Sequence, residues 1–216
     1  MKRGRLDAPD TATSILDVAE RLVQVRGFNG FSYANVAAEL KITTAALHYH
    51  FAGKAELGEA LIARYAARFA AALAGVESQS SDGLVRLHAY AGLYLDVLRE
   101  RRMCLCGIMA AEYETLPDRM KDAIVRFFDD NETWLTRVLD QGREDGALRF
   151  TGPPSQTART IVSCLEGAML VARPYGDITR FETAASQLLS GLSSPSVKGA
   201  RPRSEAKGVR RQRVPS

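Results

Sequence analysis

The stretch Ser32–Lys54, SYANVAAELKITTAALHYHFAGK, constrains this chain more than any other. Its apolar residues read as two short helices joined by a tight turn. Val36, Ala37 and Leu40 face inward from the first, Lys41-Ile42 makes the turn, and Leu47 and Phe51 face inward from the second. Two helices crossing steeply over a small residue, here Ala37, are what a helix-turn-helix requires. Thr43 or Thr44 is placed to cap the second helix and Ser32 the first, because a hydroxyl accepts a bond from an orphan backbone N–H. With Leu47 and Phe51 inward, the helical period turns Ala45 and Tyr49 outward, flanked by Thr44 and His48. That face is small at its start and aromatic and polar further on, a shape suited to a DNA major groove. Any residue other than glycine at the turn costs of order 1 kcal/mol if its backbone is left-handed, so Lys41 is an unusual occupant.

The run TTAALHYHFAGKAEL resembles the recognition-helix signature of the TetR family of transcriptional regulators. Ala46-Leu47-His48-Tyr49-His50-Phe51 and Lys54-Ala55-Glu56-Leu57 carry the match, with Gly27-Phe28 and Ser32 before them; His48 and His50 stand where tyrosines are common. The resemblance implies an all-α fold of about nine helices. A three-helix DNA-binding domain would precede a larger domain for ligand binding and dimerisation. It implies Tyr33, Thr44, Ala45, His48 and Tyr49 for groove or backbone contact, and Ser32, Thr43, His50 and Lys54 for phosphate positioning. Double-stranded DNA with a palindromic operator is the expected partner, bound by a homodimer joined through the last two helices. There the small residues Ala168, Ala172, Ala184 and Ala185 would allow close approach. A single recognition helix buries too little surface for tight specific binding, which also favours a dimer.

The rest of the chain agrees with an all-α reading. Ile15, Leu16, Ala19, Leu22 and Val23 form a stripe closed by Gly27. Leu57, Leu61, Tyr65, Phe69, Leu73 and Val76 follow three-and-four spacing from Lys54 onward. Asp82 or Ser81 caps a helix with Leu84, Leu87, His88, Ala91, Leu95 and Leu98 inward. Cys104, Leu105, Ile108 and Met109 share one side of the next, and Pro117 interrupts the chain. Met120, Ile124, Phe127, Phe128, Leu135, Val138 and Leu139 mark a long helix ending near Gly142–Gly146. After Gly152-Pro153-Pro154 come two more, one with Ala158, Ile161, Val162, Leu165 and Met169, the other with Phe181, Ala185, Leu188, Leu189 and Leu192. No alternating strand pattern and no solenoid period is present.

Charge divides the chain into four parts: an arm (1–10), a DNA-binding domain (11–54), a ligand and dimer domain (55–192) and a tail (193–216). The net charge of +4 conceals a tail with seven basic residues against Glu205 alone. Residues 1–54 hold seven basic and five acidic residues, and residues 55–192 fifteen basic and nineteen acidic. Polyanion affinity therefore belongs to the two ends. The arm, with Lys2, Arg3 and Arg5, reads either as a frayed terminus or as a phosphate or minor-groove contact. The tail reads as a disordered solubilising segment or a source of salt-sensitive DNA affinity. No apolar run is long enough to span a bilayer, and three cysteines are too few for a disulfide framework, so a cytoplasmic location is expected.

Two inputs fit such a regulator. The segment Arg101-Arg102-Met103-Cys104-Leu105-Cys106 resembles that of a TetR subgroup typified by the N-ethylmaleimide reductase repressor, in which a thiol opening the sixth helix senses electrophiles. Cys104 is the matching residue, and nearby Arg99, Arg101 and Arg102 together with a first-turn position would lower its pKa. Cys106 points about 200° away around a helix, so a local disulfide would need unwinding. The other input is an apolar or aromatic molecule in a cavity lined by Tyr94, Met109, Tyr113, Phe127 and Trp134, although plain core residues follow the same spacing. His88 on an apolar face reads as a hydrogen-bonded core histidine. No cofactor or metal is expected, because C-x-C with scattered histidines is a poor ligand set. An enzyme would need a nucleophile–base set or a phosphate loop, and no such signature is present. The remaining alternatives are a non-specific nucleic-acid or anionic-surface binder driven by the tail and a thiol-dependent enzyme.

Overall fold

The computed structural model describes residues 10–193, and the structural statements below refer to these. Expectations for the basic arm before Asp10 and for the tail after Ser193 lie outside the described residues.

Nine α-helices follow one another: α1 (Thr11–Arg26), α2 (Tyr33–Leu40), α3 (Thr44–His50), α4 (Lys54–Gln79), α5 (Gly83–Arg99), α6 (Leu105–Ala110), α7 (Asp118–Glu144), α8 (Pro154–Tyr175) and α9 (Thr179–Ser190). A single 3-10 turn, Tyr113–Thr115, separates α6 from α7. The described residues contain no strand, only an isolated antiparallel bridge between Leu148 and Ser193. None of their helices is long and apolar enough to cross a membrane.

Helices α1, α2 and α3 close over Ile15, Ala19, Val23, Val36, Ala37 and Leu47, all buried. Helix α4 leaves this unit and runs into the second layer. Its 26 residues span about 39 Å at 1.5 Å per residue. It packs on α1 near its start and on α5, α6 and α7 further along, burying Leu57, Leu61, Ile62, Tyr65, Phe69 and Leu73. Helix α7 carries the widest apolar stripe (Met120, Ile124, Phe127, Trp134, Leu135, Val138 and Leu139) and packs on α4, α5, α6 and α8. Helix α8 begins at Pro154, whose missing N–H would be an orphan at a first-turn position anyway, and Gly176 closes it in a left-handed conformation.

The inward face of α5 differs from the sequence expectation. Leu87, Tyr90, Ala91, Tyr94 and Leu98 are buried, whereas Leu84 and Leu95 are half-buried and His88 is exposed. The core histidine is therefore corrected to a surface one. The stripe tilts toward Tyr90 because Phe69, Tyr94 and Trp134 surround that ring, at centroid distances of 6.0, 5.4 and 5.7 Å.

Candidate nucleic-acid interface and sensor core

The corner between α2 and α3 is built as its residues dictate. Lys41 takes the left-handed conformation, with φ 55°, and lets the Ile42 N–H reach the Ala37 carbonyl at 3.0 Å. Thr43 caps α3 through its hydroxyl, which accepts the Ala46 N–H at 3.2 Å. At α2 the cap works in the other direction. The Asn35 carboxamide oxygen accepts from both the backbone N–H and the hydroxyl of Ser32, at 2.8 and 3.0 Å. Thr44, Ala45, His48 and Tyr49 are exposed together, and Tyr49 is 87% exposed, the most open of the large apolar side chains. His50 is half-buried, with its ring edge-on to Tyr49 at 5.3 Å.

Two expected contact residues are turned to internal use. Tyr33 donates its hydroxyl to the Phe51 carbonyl at 3.0 Å and lies 4.8 Å from the His48 ring, and burial pushes its pKa up to about 12. Lys54 donates to the Phe31 carbonyl at 2.7 Å, with its ammonium between the Phe28 and Phe31 rings at 4.8 and 4.6 Å. Burial lowers the Lys54 pKa, opposed by the Glu112 carboxylate. Its ammonium points at the loop between α1 and α2, away from the open face.

That loop is the joint between the two layers. Gly27, at φ 84°, brings the chain so close to Glu112 that an added Cβ would lie 2.3 Å from its Oε1. Glu112 accepts the backbone N–H groups of Phe28 and Asn29 at 2.7 and 3.1 Å, and Asn29 donates to the Thr115 hydroxyl at 2.7 Å. The Met103 N–H donates to the Gln24 carbonyl at 3.1 Å, and Arg173 of α8 donates to the Val25 carbonyl. On the opposite side of α1, Arg64 bridges Asp17 and the buried Glu20 at 2.7 and 2.8 Å, and Arg68 joins Glu20. The end of α1 is thus tied to α4, α8 and both ends of the α6 segment.

Cys104 and Cys106 face a polar core. Both thiols are buried, Cys104 being 1% exposed. Cys104 is the N-cap of α6 and accepts the Gly107 N–H at 3.4 Å. The expectation of a lowered thiol pKa is overturned. Burial pushes both thiols well up, and the neighbouring Glu166 carboxyl raises them further. Arg99 and Arg102 are engaged with Asp96 and Glu100 on the surface. Glu166 reaches over the first turn of α6, where only a glycine fits: a Cβ on Gly107 would stand 2.1 Å from Glu166 Oε2. Burial raises the Glu166 pKa from 4.5 to about 7, the Cys104 hydrogen bond opposing it. Its Oε1 is buried without a hydrogen-bond partner, and so is Trp134 Nε1. Beside them Tyr90 donates to Asn131 at 3.2 Å and shares a bond with Tyr94 at 3.1 Å.

Of the expected ligand residues, Tyr94, Met109, Phe127 and Trp134 share this core. Tyr113 does not. It sits in the 3-10 turn, 37% exposed, with Lys121 over its ring, because the chain has already left α6. A cleft of about 330 Å³ between α4 and α7 reaches Phe69, Phe127, Asn131 and Trp134 from outside.

Both layers match known family models. Residues 15–61 match the model described as bacterial regulatory proteins, tetR family. Residues 83–188 match the tetracyclin repressor-like C-terminal domain. A TetR-family transcriptional regulator from Agrobacterium tumefaciens superposes with a TM-score of 0.82 at 31% identity, over 85% of this chain and 97% of that one. The chain belongs to the TetR family. A TetR regulator from Legionella pneumophila is similar at 30% identity and TM-score 0.78, over 87% of this chain and all of the other. The HTH-type transcriptional repressor NemR of Escherichia coli is 25% identical over 193 residues, 87% of this chain and 96% of NemR. The reduced form of E. coli NemR superposes with a TM-score of 0.75.

As a TetR-family protein the chain is a helix-turn-helix DNA-binding regulator of transcription, and the open face of α3 is the surface available to bases. TetR regulators dimerise, and the outward face of α8 and α9 offers Gly167, Ala168, Val171, Thr183 and Ala184 around a shallow groove. Leu170, Val171 and Tyr175 are exposed apolar residues of the same helix. Ala172 and Ala185 are corrected as interface residues, since both are buried within the protomer. Several residues of the joint and the core escaped the sequence reading. Glu166 and Asn131 lie four residues beyond Val162 and Phe127 on apolar stripes, a signal that was available. Glu112 left none, because its partners are backbone N–H groups 83 and 84 residues away.

Proposed function

We propose that the chain is a homodimeric repressor that holds a palindromic operator and releases it when an inducer alters the core around α6. Residues 11–54 serve as the reading head and residues 55–192 as the sensing and dimerising body. Thr44, Ala45, His48 and Tyr49 meet base edges, while Ser32, Thr43 and His50 meet phosphates. Tyr33 and Lys54 act indirectly, by fixing α3 against the start of α4 and the loop between α1 and α2. The observation that carries this reading is the run of hydrogen bonds from Glu112 and Met103, at the two ends of the α6 segment, to the end of α1. A change at α6 cannot leave the reading head where it was.

Two inducer chemistries share this core. A thiol-reactive electrophile would modify Cys104, and a small apolar ligand would use the cleft at Phe69, Phe127 and Trp134, where the buried indole N–H has no acceptor. Selection from random duplexes tests the reading. An inverted repeat should be enriched by the intact protein and not by a Tyr49→Ala variant. Enrichment with no dyad, or unchanged by the substitution, would remove it.

A further inference from the structure

The core contains a buried carboxyl and a buried thiol in contact, and neither is needed for packing alone. Glu166 reaches the Cys104 thiol across the glycine gap at position 107, and Gly107 and Tyr65 supply the other bonds to that sulfur. One carboxyl oxygen is left without a partner. A carboxyl among aromatic rings is costly to bury, so this one requires an explanation beyond filling space.

We infer that Glu166 is the proton acceptor for Cys104 when that thiol adds to a soft carbon electrophile such as a maleimide or an enone. The inference deepens the thiol-reactive reading of the inducer and rests on it. In the step, the Cys104 S–H bond breaks as the S–C bond to the electrophile's β-carbon forms, and the thiol proton passes to a Glu166 oxygen. The displaced π pair makes an enolate, which takes that proton at the α-carbon. Glu166 ends as it began, the thioether remains, and nothing is oxidised or reduced. A weak nucleophile beside a positioned base needs no standing thiolate. This resolves the conflict between a candidate reactive thiol and surroundings that disfavour its ionisation: Glu166 and Cys106 raise the Cys104 pKa, and Tyr65, Tyr90 and Tyr94 supply no cation. The titratable groups around the pair are Tyr65 of α4, Tyr90 and Tyr94 of α5, Cys106 of α6 and Glu132 of α7.

The test uses the full-length protein carrying Cys106→Ser and Cys164→Ser, so that Cys104 is its only cysteine. N-ethylmaleimide is the probe, and adduct formation is timed by mass spectrometry across the neutral pH range. Reagent reaches the buried sulfur only as the six-residue α6 opens, so rates are compared after hydrogen exchange has measured that opening in each protein. The rate should rise with pH and level off above about 7 as the carboxyl ionises. Glu166→Gln should slow it on the order of 100-fold and erase the inflection, and Glu166→Asp should restore part of the rate. Electrostatics alone has the opposite sign, because removing a buried negative charge favours thiolate. A Glu166→Gln protein as fast as the parent, or faster, therefore overturns the proposal and leaves the thiol-reactive reading standing. If Glu166→Gln fails to fold, a parent rate that climbs through alkaline pH without levelling overturns it alone. No adduct at Cys104 at any pH overturns both.

Discussion

At the scale of single residues, the exposed ring of Tyr49 carries the account of sequence preference. Because the side chain meets only the edge of His50, Tyr49→Ala should leave stability nearly unchanged. The operator's advantage over unrelated DNA should fall by roughly 1–3 kcal/mol, read by competition titration with the salt slope retained. An unchanged advantage would exclude Tyr49 from base contact. Glu166 makes a separate, pH-dependent contribution. Its folded pKa of about 7 lies above the ordinary 4.5, so the stabilisation is complete below the ordinary value and is lost as pH rises through about 7. The loss should be of order 3 kcal/mol at most, measured as denaturant midpoints along a pH series. Glu166→Gln should flatten that slope, and an identical slope in both proteins would place the titration elsewhere. The apolar residues of the corner, Val36, Ala37, Leu47 and Phe51, were legible in the sequence because helical period alone turns them inward. The orientation of Lys54 was not, since its position at the start of α4 gives no hint that Phe28 and Phe31 lie beneath it.

At the scale of elements, the decisive contact runs from the end of α6 to the loop between α1 and α2. Glu112→Ala leaves the Phe28 and Asn29 N–H groups without their carboxylate, at a cost of about 1–3 kcal/mol. It should also weaken the coupling between the core and DNA. Operator affinity should then change less when Cys104 is alkylated, and a full response in Glu112→Ala would mean that the signal travels by another route. Thr43→Ala tests the other end of the reading head. Losing the α3 cap should cost about 1 kcal/mol in stability and lower affinity for all DNA about equally. Helices were readable from the sequence wherever a stripe was long, as in α4 and α7. The phase of α5 was misread because His88 and Leu84 sit beside the true inward residues, and only the rings of Phe69 and Trp134 decide in favour of Tyr90. Longer-range chemistry was hidden for the same reason. The surroundings of Cys104 are set by Glu166, sixty-two positions later, and the nearby arginines turn to surface carboxylates instead.

At the scale of the whole molecule, the arrangement is a reading head, one long connecting helix and a polar sensing core, with α8 and α9 left to meet a second copy. Two heads are needed because one short helix reads only a few base pairs, so the dimer sets the half-site spacing. Every tie between the layers passes through the end of α1 or the start of α4, so a change confined to the core can still move both heads. Footprinting on DNA flanking the protein's own gene, near physiological salt with excess competitor, tests this most directly when run before and after N-ethylmaleimide treatment. A short inverted repeat should be protected, released on treatment, and still protected after treatment of a Cys104→Ser variant. Diffuse protection with no dyad would contradict the account, and a discrete footprint indifferent to the reagent would contradict its thiol-reactive half.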